Sequence, residues 1–131
     1  MSKSIPFAKT LKVRKAIKNE CGLQTVIPRA VAANASNVVL VDGRGDLEIE
    51  ISDVHGPGGW VFSGPKWVEV KGKLRRGGKV VGDFRAKRMS VADPFAGGTC
   101  GILAKCARAI GEDIALWLQE PSFGAEIGDA R

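Results

Sequence analysis

Residues 66–88 read KWVEVKGKLRRGGKVVGDFRAKR. Val68, Val70 and Leu74 alternate with Trp67, Glu69, Lys71, Lys73 and Arg75. After the glycine pair, Val80, Phe84 and Ala86 alternate with Val81, Asp83, Arg85 and Lys87. Period-two alternation marks strands with one buried face, and residues opposed in an antiparallel pair share a face. A two-residue loop that set Leu74 against Lys79 would mix the faces. A three-residue loop of Arg76, Gly77 and Gly78 predicts Leu74 opposite Val80, Val70 opposite Phe84 and Val68 opposite Ala86. It also sets Lys71 against Asp83 and Glu69 against Arg85. Glycine supplies the positive φ that the end of such a loop requires. Gly72 and Gly82 then face each other on the inner side, which predicts that a backbone or a large side chain packs over them.

Outward from this hairpin the pattern is coarser. Residues 1–8 read as a flexible lead. Leu11 and Val13 alternate with Lys12 and Arg14 as a short strand, which the run NECG ends. Thr25 is placed to cap a helix with Pro28 in its first turn, reaching about Ala35. Residues 38–41 read as a buried strand and DGRGD as a turn. Leu47, Ile49 and Ile51 alternate with Glu48, Glu50 and Ser52, a half-exposed strand. A glycine-rich loop follows over residues 56–65. Beyond the hairpin, SVADPFAGG is a second loop, and Thr99 is placed to cap a last helix. Its apolar stripe is Leu103, Cys106, Ile110, Ile114 and Trp117, with Lys105, Arg108 and Glu112 off the stripe. Pro121 ends it, and residues 121–131 read as a tail. The expected architecture is α+β: one domain over residues 9–120, with an antiparallel sheet of four to five strands and two helices on one face, in the order β-α-β-β-β-β-α.

The chain has 131 residues and a net charge of +6, enough length for a real core and a charge that permits an anionic partner. No apolar run reaches the roughly 18 residues of a membrane span. The opening MSKSIPFAKT lacks the apolar centre of a signal peptide, which fits either a cytosolic protein or a mature segment behind a start methionine. Cys100 and Cys106, on one helix, point about 240° apart and cannot bond each other. Any disulfide therefore uses Cys21, and Cys100 is the preferred partner because Cys106 lies on the apolar stripe. Such a bond would add roughly 4 kcal/mol. The alternative is three buried thiols in a reducing compartment.

Chemistry-bearing patterns are sparse. No CxxC occurs and His55 is the only histidine, so zinc is not expected, and no cofactor is implied. His55 follows Glu48, Glu50 and Asp53, but carboxylates on a half-exposed strand are expected to be solvated. GWVFSGPK lacks the lysine and the hydroxyl of a phosphate loop, and Arg44-Gly45-Asp46 reads as an ordinary turn. Lys73, Arg75, Arg76, Lys79 and Lys87 cluster on the hairpin with Trp67, a basic ribbon of the kind that can bind nucleic acid. The same residues are also what a solvated strand face carries. Trp60 and Phe62 interrupt the loop over residues 56–65 and either cap the core or anchor a partner. The binding candidates are thus Trp60, Phe62, Trp67, Arg75 and Arg76, with no catalytic residue. The leading expectation is a non-catalytic binding module with an envelope protein as partner. A basic nucleic-acid-binding domain is second, and a small hydrolase third.

The run Gly72-x-Leu74, then Gly78-Lys79-Val80-Val81-Gly82-x-Phe84-x-Ala86-x-Arg88, then AIGEDIALWL over residues 109–118, resembles an uncharacterised family of proteobacterial envelope proteins, many of them lipoprotein-like. The resemblance covers residues 66–118. It implies an envelope location and no catalytic residues. Cys21 follows KNE rather than an apolar leader and does not match a lipoprotein's acylated cysteine.

Overall fold

The computed structural model describes residues 1–13, 15–56, 65–90 and 98–131. The elements run α1 (Lys15–Glu20), α2 (Leu23–Asn34), β1 (Leu47–His55), β2 (Lys66–Arg76), β3 (Lys79–Ser90), α3 (Gly98–Gln119) and β4 (Ala125–Gly128). The fold is α+β. Its four-stranded sheet has the order β1-β2-β3-β4, antiparallel except for β4, which runs parallel to β3. A mixed sheet replaces the purely antiparallel one expected, because the 22-residue α3 between β3 and β4 carries the chain back along the sheet. The order α-α-β-β-β-α-β replaces the expected one. Leu11 and Val13 lie in no strand, and residues 38–41 contribute only a single bridge, from Val41 to Ser2.

The hairpin keeps its faces and changes its register. Gly77 and Gly78, at φ 58° and 79°, form a two-residue turn closed by Arg76 opposite Lys79. Two consecutive positive φ values suit the primed turn that matches strand twist. A bulge between Leu74 and Arg75 then sets Leu74 opposite Gly82, Gly72 opposite Phe84 and Val70 opposite Ala86. Relative to the three-residue loop the register slips by two residues from Leu74 and Gly82 onward, so the side chains of that paired stretch stay on their predicted faces. Val80 faces Arg75 at the half-exposed tip instead of joining Leu74, and Glu69 faces Lys87 instead of Arg85. Arg85 still reaches Glu69 diagonally, at 3.8 Å.

The two inner glycines are each covered. A Cβ on Gly72 would strike the Phe84 ring, and one on Gly82 would lie 2.8 Å from Trp117 and 2.9 Å from the Ser122 carbonyl. Phe84 and Trp117 in turn contact each other at 4.7 Å between ring centroids. The core is built from Leu47, Ile49, Ile51, Val68, Val70 and Ala86 on the sheet and from the α3 stripe at Leu103, Cys106, Ile110, Ile114 and Trp117. α3 lies against β2 and β3, and α2 packs on α3. At that helix crossing Gly111 meets Ala30, whose carbonyl carbon would be 2.7 Å from an added Cβ.

Residues 1–8 and 121–131 are not a lead and a tail. α2 starts two residues before Thr25, with Gly22 as its N-cap, so Pro28 falls inside the helix. Proline has no N–H to give to the carbonyl of Gln24, and that carbonyl accepts the Ile5 N–H instead, at 2.9 Å. Ile51 exchanges hydrogen bonds with Pro6 and Ala8, and Met1 and Ile5 are buried. At the other end, β4 pairs with β3 through Phe84–Ala125 and Ala86–Ile127.

Cys21 and Cys100 are joined, with 2.02 Å between sulfurs and 4.9 Å between Cα atoms. The bond ties the junction of α1 and α2 to the first turn of α3. Cys106 is a free, buried thiol whose pKa is pushed up by burial.

Candidate functional site: the open face of the sheet

The helices cover one face of the sheet. The other carries the polar residues of the alternation, and its most organised cluster lies where β1 ends and β2 begins. A bulge between Ile51 and Asp53 sets Asp53 opposite Glu69 and His55 opposite Trp67. Without the extra residue Asp53 would point into the core. Placed outward, its Oδ2 accepts the indole Nε1–H of Trp67 at 2.8 Å. His55 stacks on Trp67 with 4.1 Å between centroids and planes 19° apart. The Lys87 ammonium sits 4.7 Å from the centroid of the same ring, a cation–π arrangement. Ser52 donates to Glu69 at 2.9 Å. Trp67 is thus a half-buried aromatic held by a hydrogen bond, a ring stack and a cation.

His55 lies flat on an indole, and the carboxylate beside it is taken by that indole. Cys21 and Cys100 are oxidised, and Cys106 is buried. Among the described residues no three His, Cys, Asp or Glu side chains group to hold a metal ion.

The expected basic ribbon divides in two. Trp67 stands at the start of β2 and Arg75 and Arg76 at its end, about 26 Å apart for eight residues of extended chain. Arg75, Lys73 and Arg44 all approach Glu48, at 3.7, 3.5 and 2.7 Å. Arg44 therefore serves an ion pair, and the neighbouring Gly45 is closed over by the backbone of Met1, 2.7 Å from where its Cβ would be. Along the middle of the face, charges interleave: Arg85 bridges Glu69 on β2 and Glu126 on β4, the latter at 3.0 Å. A groove of about 730 Å³ lies between the N-terminal segment and β1–β2. Its charged walls, Arg44, Lys71 and Lys73 against Glu48, Glu50 and Asp83, balance in sign. Trp60 and Phe62 lie outside the described residues; the chain segments that flank them, at His55 and Trp67, belong to the aromatic cluster.

Burial is the largest single influence on Glu48 and pushes its carboxyl up, but Arg44 and Lys73 together outweigh it and hold the pKa below 4.5. A depressed carboxylate contributes stability that is complete above 4.5 and is lost as pH falls through the lower folded-state value. The melting temperature of the wild type should therefore fall more steeply than that of Glu48→Gln below this point. Parallel acid profiles for the two proteins would show that Arg44 and Lys73 do not act on Glu48.

No family model, curated protein or solved structure matches this chain.

Proposed function

We propose that this chain is a non-catalytic binding module of the bacterial envelope that holds a protein partner against the open face of its sheet, with Trp67 as the anchor. One observation carries the reading: Trp67 is held by Asp53 and His55 on a sheet face that no helix among the described residues covers. A rigid, amphipathic indole loses little entropy when a partner closes over it, which is why tryptophan dominates interface hot spots. The neighbouring Met89, directly opposite Trp67 and exposed, extends the apolar contact. The polar rim of Glu69, Arg85 and Lys87 has the mixed charge of a protein interface rather than the uniform charge of a nucleic-acid groove. The Cys21–Cys100 bond is compatible with an oxidising compartment, and no helix among the described residues is long and apolar enough to cross a membrane.

The test is Trp67→Ala. Removing a half-buried indole with one hydrogen bond is expected to cost the fold about 1–2 kcal/mol, leaving it folded at room temperature. Binding of the partner recovered from envelope extract should weaken by about 2 kcal/mol, roughly thirtyfold. Undiminished binding by a folded Trp67→Ala protein would overturn the assignment. Binding of a random oligonucleotide that depends on Trp67 would favour the nucleic-acid reading instead.

A further inference from the structure

At the end of the sheet remote from Trp67, Arg76 and Lys79 close the two-glycine turn and are exposed. No ion pair holds either one among the described residues. Arg44, Lys73 and Arg75 converge beside them and share one carboxylate, Glu48. Other acids nearby offset part of this excess. Asp42 is engaged by Lys3 at 3.2 Å, and Asp83 accepts the Gly124 N–H at 2.6 Å. Asp83 keeps its charge beside Lys73 and the exposed Asp46 adds another, so the tip retains a smaller net positive charge.

The same end carries exposed aliphatic side chains. Val39 is 69% exposed and Val41 37%. Their segment is fastened here: the Met1 amino group donates to the Val39 carbonyl at 2.9 Å, and Ser2 bridges Val41. Gly45 packs on Met1, and the Asp46 carbonyl accepts the Arg75 N–H at 2.9 Å. The exposed valines and the cations therefore belong to one surface.

We propose that this surface docks on an anionic lipid bilayer, the cations meeting headgroup phosphates and Val39 and Val41 entering the acyl boundary. Each element answers one layer of the membrane: a basic cluster attracts anionic headgroups, and apolar side chains bury at the interface. A polynucleotide offers phosphates but no apolar layer. Docking by this end leaves the Trp67 cluster, at the far end of the strands, free for a partner.

The test is flotation of the full chain with vesicles of phosphatidylethanolamine and phosphatidylglycerol, against vesicles of phosphatidylcholine. The chain should float only with the anionic vesicles and be released by salt. Arg76→Gln with Lys79→Gln removes two charges and should lower partition about thirtyfold. Val39→Asp should lower it about tenfold. All three positions are exposed, and unchanged melting temperatures will show that the fold is intact. Equal flotation with neutral vesicles, full flotation of the double variant, or displacement by millimolar inorganic phosphate would each overturn the proposal. So would indifference to Val39→Asp together with equally tight binding to duplex DNA, which would mark the surface as one for a polynucleotide.

Discussion

Gly111→Val is expected to destabilise the chain by about 3 kcal/mol, the upper range for overpacking a core. The reason is the α2–α3 crossing. Ala107, Gly111 and Ala115 follow one another at four-residue steps along α3 and are all buried, so they form a smooth ridge. Against it lies α2 at Ala30, close enough that the first carbon of any side chain at position 111 would meet the Ala30 methyl and lie 2.9 Å from the Val31 nitrogen. One is a Cβ fixed directly to the α2 backbone and the other a backbone nitrogen, and neither can swing aside like the end of a flexible side chain. Valine must push α2 off α3, and α2 carries Leu23, Ile27 and Val31, all fully buried. Leu116→Ala, on the exposed flank of α3, should change stability by no more than about 0.5 kcal/mol. Denaturant melts of the three proteins check both values. A Gly111→Val protein as stable as the wild type would mean that the helices do not cross at this contact.

Loss of the disulfide is expected to cost about 4 kcal/mol. Cys21 and Cys100 are 79 residues apart in sequence, and closing a loop of that length restricts the unfolded chain strongly in the entropic model. Cys21→Ser with Cys100→Ser should lower the midpoint of unfolding far more than Cys106→Ser. Reductant should lower the wild-type midpoint to near that of the double variant. Intact mass before and after reduction, then peptide mapping, identifies the bonded pair. Identical midpoints with and without reductant would show that the bond does not tie α1–α2 to α3.

The parts of the fold legible in the sequence are those that rest on side-chain periodicity over many residues. The alternation across β2 and β3 assigns each residue to its face, and the stripe from Leu103 to Trp117 assigns the buried side of α3. The hairpin register was not legible because two irregularities compensate. A tighter turn at Gly77 and Gly78 and a bulge after Leu74 together move the pairing by two residues, which no inside-outside pattern detects. β4 has four residues, too few for a period. The N-terminal segment is held by a carbonyl that Pro28 leaves open, a signal visible only once the start of α2 is correctly placed. The aromatic cluster did leave a trace. After Leu47, Ile49 and Ile51 the next apolar residue of β1 is Val54, three positions on rather than two. That spacing marks a bulge, and the bulge is what turns Asp53 toward Trp67. The ridge at Gly111 left one as well, in the four-residue steps from Ala107 to Ala115. Grouping Trp67 with Arg75 and Arg76 was a matter of faces without lengths: the three are placed on one strand but at its two ends.

The two ends divide the surface between an aromatic cluster on the open sheet face and a basic, aliphatic tip. The assignment of partner recognition to the former is tested most directly by photo-crosslinking from single positions in intact cells. A photoreactive amino acid replaces Met89, opposite Trp67 on the open face, and in a second protein replaces Leu116, exposed on the helical side. Position 89 should give a discrete protein adduct that disappears when Trp67→Ala is added, and position 116 should give none. An adduct from position 116 alone, or one from position 89 that persists without Trp67, would contradict a partner seated on the open sheet face.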